Sequence, residues 1–245
     1  MNNEYTKYKG KCVLDYHFVA TYKTTIKNEW VSFTKNILIS RMKINGTIIN
    51  NSTFYYIFEN PGEHIVYIKL SNTNVFSSLF ANIQKLVSIN FLEISQSASI
   101  SLMNDCFSGC INLISINMTN LNLDNNQCFM NFFKDDYNLK EVIFPKKKFY
   151  KIIWFYRMFY GCKSLTSIDM SLVSNYNGNT FYEMFYGCTN LKSIKLDSFT
   201  KACYNCNVRD MFEGIPQNFS ISIQRNFYET IKDQFGNETN VTIIS

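Results

Sequence analysis

The chain has 245 residues, 46% of them hydrophobic and 18% charged, with a net charge of +5. That balance excludes intrinsic disorder, which pairs low hydrophobicity with high net charge, and the basic excess is too small to indicate nucleic-acid binding. No run of 18 apolar residues occurs, so no segment reads as a membrane-spanning helix.

Residues 1–10 are polar and lack a basic start followed by an apolar stretch, so no Sec-type signal peptide is expected there. Residues 13–22 are rich in β-formers. Residues 36–44 form a second such run, closed by Asn45-Gly46, a strong hairpin signal. Residues 47–50 and 53–58 follow. After the turn Asn60-Pro61-Gly62, residues 64–70 alternate like a half-buried strand. Together they predict a small antiparallel β unit over residues 1–73.

From residue 74 the chain repeats itself. Phe80, Phe107, Phe133, Phe159, Phe185 and Phe212 are separated by 27, 26, 26, 26 and 27 residues. A residue recurring once per coil stacks on its copies, so these six rings are expected to form a buried spine. Two positions on stand Asn82, Gly109, Asp135, Gly161, Gly187 and Gly214. Those residue types tolerate a left-handed backbone, so this column marks a turn with positive φ, expected at the end of a short helix. One further on, Cys110, Cys162 and Cys188 share a column with Ile83 and Ile215 and read as small buried hydrophobes. Asp136 breaks that column in a unit that has also lost its glycine, so the third coil is expected to be irregular. Each unit then reads L-x-x-I-x-L, as in Leu165, Ile168 and Met170. That is a short inward-alternating strand, and one strand per coil makes a parallel sheet. The fold class is therefore an α/β solenoid of about six coils of 26–27 residues over 74–225. Residues 226–245 read as a C-terminal cap, with a helix over 227–235 and a last strand over 241–244.

The pattern M-F-x-G-C-x-x-L-x-x-I-x-L, as in Met184-Phe185-Tyr186-Gly187-Cys188, resembles the BspA-type leucine-rich-repeat family of modular surface and adhesion proteins. The resemblance implies a leucine-rich-repeat-like solenoid that binds a protein partner or a host surface, with a cell-surface location. It implies no reaction and no cofactor.

The residues themselves support no catalytic reading. His17 reads as a half-buried sheet residue and His64 as a loop-edge residue, and neither sits in a nucleophile–base motif. Cys203-x-x-Cys206 is half a zinc site at most, since zinc needs a second ligand pair. The basic run Lys146-Lys147-Lys148, with Lys151, reads as a solvated loop, or else as a contact for an acidic partner or an anionic surface. Partner-binding candidates are the residues expected to point outward from the sheet, Asn90, Asn117, Ile143, Asp169, Lys195 and Ser222. Beside them run Ser88, Ser115, Glu141, Ser167, Ser193 and Ser220, a nearly uniform serine column expected to form a hydroxyl ladder. Tyr160 and Tyr186, next to the turn glycines, are candidate aromatic anchors. A structural role in a larger assembly, such as a virion appendage or cell-surface layer, is the alternative.

Overall fold

The computed structural model describes residues 16–35, 39–49, 54–71, 76–92, 100–174, 178, 180–200 and 205–244. Residues 13–15, 36–38, 50 and 53 of the expected strands lie outside that set, as does Cys203.

Six strands form the N-terminal unit: β1 (Phe18–Thr24), β2 (Glu29–Ser32), β3 (Ile39–Ile44), β4 (Thr47–Ile49), β5 (Tyr55–Phe58) and β6 (Gly62–Leu70). β3 and β4 form a hairpin across Asn45 and Gly46, whose φ values of 46° and 93° are those of a primed turn. β2 pairs antiparallel with β5 as a separate two-stranded ribbon. β1 lies between β6 and the first repeat strand, antiparallel to both. The unit therefore continues the solenoid sheet. Phe18 packs edge-on against Phe80 at 5.2 Å and lies 5.9 Å from Phe91, so one hydrophobic core runs through both regions. An ion pair from Lys85 to Glu29 clips the ribbon to the first coil, and it holds the Glu29 carboxyl down at about 2.

Six repeat strands follow: β7 (Leu86–Phe91), β8 (Ser115–Asn117), β9 (Glu141–Ile143), β10 (Ser167–Asp169), β11 (Ser193–Leu196) and β12 (Ser220–Gln224). They bound about five turns of a β-solenoid and pair in parallel, except that the ladder is interrupted between β9 and β10. After β12 come the helix α1 (Arg225–Ile231) and β13 (Asn240–Ile244), which pairs in parallel with β12.

The six phenylalanines stand in single file. Successive rings are 5.0, 5.7, 5.4, 5.5 and 5.8 Å apart and stacked at every step. All six are buried.

Around each spine ring the backbone is left-handed at two positions. The later one is the expected column, with φ between 58° and 77° from Asn82 to Gly214. The earlier one, two residues before each phenylalanine, comprises Ser78, Asp105, Asn131, Arg157, Glu183 and Asp210, with φ between 50° and 56°. No glycine marks it. This alternation explains why the expected helix end is a chain of tight turns. In the fourth coil the N–H groups of Arg157, Phe159 and Gly161 donate to the next coil's Tyr182, Met184 and Tyr186 carbonyls, at 3.0, 2.9 and 2.8 Å. The residues between close within the coil, Tyr160 N–H to the Arg157 carbonyl and Cys162 N–H to the Phe159 carbonyl. Half of the backbone donors thus serve the coil and half the stack, and none is left for an i→i−4 ladder. Among the described residues α-helix is confined to α1.

Two side-chain columns add to the stacking. The thiols of Cys110, Cys162 and Cys188 donate to the carbonyls of Phe80, Phe133 and Phe159 of the preceding coil, at 2.9, 3.1 and 3.0 Å. They are buried like hydrophobes, but each also makes one directed bond. Asn112, Asn138 and Asn190 likewise donate amide hydrogens to the Gln84, Ile111 and Lys163 carbonyls one coil back.

Candidate interaction surface

The sheet register shows what the outward column becomes. Asn90, Asn117 and Ile143 stand opposite one another across β7, β8 and β9. Asp169, Lys195 and Ser222 do the same across β10, β11 and β12. The column does not stop at the first coil. Asn90 pairs with Val19, Val19 with Tyr67, Tyr67 with Lys43 and Lys43 with Ile48. Residues directly paired across strands project to the same side. One row therefore crosses the seven-stranded sheet from Ile48 at one edge to Ile143 at the other.

These residues are not equally available. Ile143 is 40% exposed and Ile48 59%. Asn90 and Asn117 are half-buried. The Asn117 side-chain oxygen accepts the Thr119 N–H at 2.9 Å, and Asp169 accepts the Ser171 N–H at 2.9 Å. Both thereby form local turns after their strands, a job that Asn and Asp do well. Asp169 also lies 3.4 Å from Lys195, an ion pair exposed enough to add little stability. Ser222 donates to Asp197 at 2.6 Å. In the serine column, Ser220 donates its hydroxyl to the Lys192 carbonyl at 3.2 Å. That bond runs to backbone, whereas a hydroxyl ladder was the expectation.

Tyr160 and Tyr186 do come together, in the turn segments, with rings 4.9 Å apart and 5° from parallel. Tyr156 and Tyr182 stack beside them at 5.3 Å. The Arg157 guanidinium lies over three of these rings, 4.8 Å from Tyr156, 5.3 Å from Tyr160 and 5.5 Å from Tyr182. It is ion-paired to Glu183, which raises the guanidinium's pKa further. The four tyrosines are half-buried.

Both histidines make contacts within the N-terminal unit. His17 Nδ1 accepts the Leu70 N–H at 3.1 Å. His64 corrects the expectation of a loop-edge residue: it is buried in β6, stacked on Phe58 at 3.8 Å and 2.9 Å from the Thr24 hydroxyl. Burial holds both imidazoles below their ordinary pKa. Cys206 is disulfide-bonded. Among the described residues no three His, Cys, Asp or Glu side chains gather in a way that could hold a metal ion. Among the same residues no helix is long and apolar enough to cross a membrane.

Neither a family model nor a curated protein matches the chain. Among solved structures it is similar to a leucine-rich repeat protein from Bacteroides ovatus, at 19% sequence identity and a TM-score of 0.44. The alignment covers 69% of this chain and 39% of that one, so the chain spans about two fifths of that protein's length.

Proposed function

We propose that this chain is a non-enzymatic repeat module that presents its sheet face to a protein partner or host surface, as the BspA-type proteins its repeat resembles would do. The observation that carries this is the single row from Ile48 to Ile143, continued in the second sheet by Asp169 and Lys195. Its backbone is fixed by ladders and a filled core, while its side chains vary in size and charge. Such variation on a fixed lattice is how solenoids build recognition surfaces. Partner capture by the intact chain is expected to be lost in Ile143→Asp and Lys195→Glu, with melting temperatures within a few degrees of the parent. Capture that survives both substitutions removes the face from consideration.

A second reading, a structural subunit of a larger assembly, is favoured by the sheet edges. β4 carries Ile48, 59% exposed, and β13 carries Ile243, 36% exposed. An unpaired apolar edge is a template for another strand. Recovery of the chain in fixed stoichiometry from a purified particle or envelope supports it, and a monomer at high concentration in light scattering opposes it.

A further inference from the structure

Just past the C-terminal ends of β8 and β9, one rung carries a charge the rest of the fold does not explain. Lys146, Lys147, Lys148 and Lys151 belong to the fourth coil, with Tyr150 and Trp154 among them. Three contacts lay this stretch along residues 124–127 of the coil before. Lys147 reaches Asp124 at 2.6 Å, Lys151 reaches the Asn125 side-chain oxygen at 2.6 Å, and the Ile153 N–H donates to the Gln127 carbonyl at 2.9 Å. All six side chains are exposed, so the stretch makes one basic and aromatic strip. Lys147 is ion-paired to Asp124, and Lys146, Lys148 and Lys151 add three further exposed positive charges to the same stretch.

Trp154 is out of place structurally. Trp154 bridges in parallel to Cys128 on one side and Thr180 on the other, and Thr180 to Asn207. That column is otherwise built of small residues. Trp154 is 40% exposed and Tyr150 53%. Beside the strip lies a groove of about 610 Å³, lined by Lys146, Lys147 and Pro145 together with Asn120, Asn122 and the ion-paired Asp124.

We infer that this rung is a docking site for an extended acidic segment of a partner protein, its carboxylates on the lysines and an apolar side chain against Trp154. The chemistry is charge complementarity along the strip, with an aromatic anchor of the kind that dominates interfaces. A groove beside the strip suits a chain better than a flat lipid surface, which cannot enter it. The site uses none of the side chains of the sheet-face row.

The test is fluorescence anisotropy of the intact protein with a labelled glutamate-rich peptide that carries one central leucine, at low and at physiological salt. Saturable binding that weakens with salt is expected. It should weaken about tenfold in Lys146→Glu/Lys148→Glu and in Trp154→Ala. Lys195→Glu, on the sheet face, should bind as the parent does. All these side chains are exposed, and circular dichroism confirms that each variant folds. Absence of binding at low salt overturns the inference, as does equal affinity in the parent and the rung variants, or an equal loss in Lys195→Glu. Retention of the chain by phosphatidylserine vesicles without peptide binding reassigns the strip to lipid and also overturns it.

Discussion

The third coil and the coils after it are made to one plan and solve it differently. From the fourth coil on, Phe159, Phe185 and Phe212 stack within 3° of parallel. Their turns carry glycine, and Cys162 and Cys188 bond back to the preceding carbonyl. In the third coil Phe133 is tilted by 21° and 24° to its neighbours, with Phe132 wedged 4.4 Å away. Asp135 takes the left-handed turn at φ 63°. Asp136 replaces the thiol and reverses the bond, accepting the Cys110 N–H at 2.8 Å where a cysteine would donate. Its second oxygen is buried without a partner. The sheet ladder is interrupted directly after this coil. The spine tolerates such a unit because ring stacking and the inter-coil backbone bonds do not need the cysteine; the carboxyl carries the cost locally.

The largest expected effect lies in the ring that joins the two regimes. Phe159→Ala removes a fully buried side chain between Phe133 and Phe185 and should cost about 3–5 kcal/mol in urea unfolding. A loss below about 1 kcal/mol would mean that the stack does not hold the coils together. Gly161→Val should come next. Its φ of 72° disfavours a β-branched residue, and a Cβ there would lie 2.9 Å from the Asp135 side-chain oxygen. A cost of about 2–3 kcal/mol is expected from backbone strain and crowding together. The same change at Gly187, where a Cβ meets nothing closer than 3.8 Å, should cost less. Equal losses would show that the aspartate coil exerts no extra pressure on its neighbour.

What the sequence reveals here depends on repetition. The spine and the turn column are legible because the same residue type recurs six times at one spacing. The left-handed column two residues earlier is not, because Ser78, Asp105, Asn131, Arg157, Glu183 and Asp210 share no side-chain property that advertises the conformation. The place of β1 between β6 and β7 has no local sign at all, since pairing partners 38–50 and 64–73 residues away leave no mark on a strand's own pattern. β2 escapes for another reason: Glu29-Trp30-Val31-Ser32 is four residues long and leaves Trp30 58% exposed. In the candidate face, the spacings Asn117-x-Thr119 and Asp169-x-Ser171 do signal side-chain turns. They could have separated turn-forming residues from free ones before any coordinates.

The smallest effect is the most specific to the third coil. Burial pushes the Asp136 carboxyl well above its ordinary value, with the neighbouring Asp135 charge adding to the rise and the Cys110 N–H opposing it. In the unfolded chain an aspartate titrates near ~3.9. The folded chain therefore keeps a proton that the unfolded chain releases above that pH. The group's contribution to stability is complete below the unfolded value and is lost as pH rises toward the folded one. Asp136→Asn keeps an oxygen for the Cys110 N–H and cannot ionise. It should gain about 1 kcal/mol at neutral pH, where the unfolded aspartate is ionised and the fold must hold a proton on the buried carboxyl or bear its charge, and nothing at about pH 4. Urea midpoints across that range should converge at the acid end and separate toward neutrality. Parallel profiles for the two proteins would show that Asp136 is already relieved by a contact of its own, and that the third coil owes its tilt to Phe132 alone.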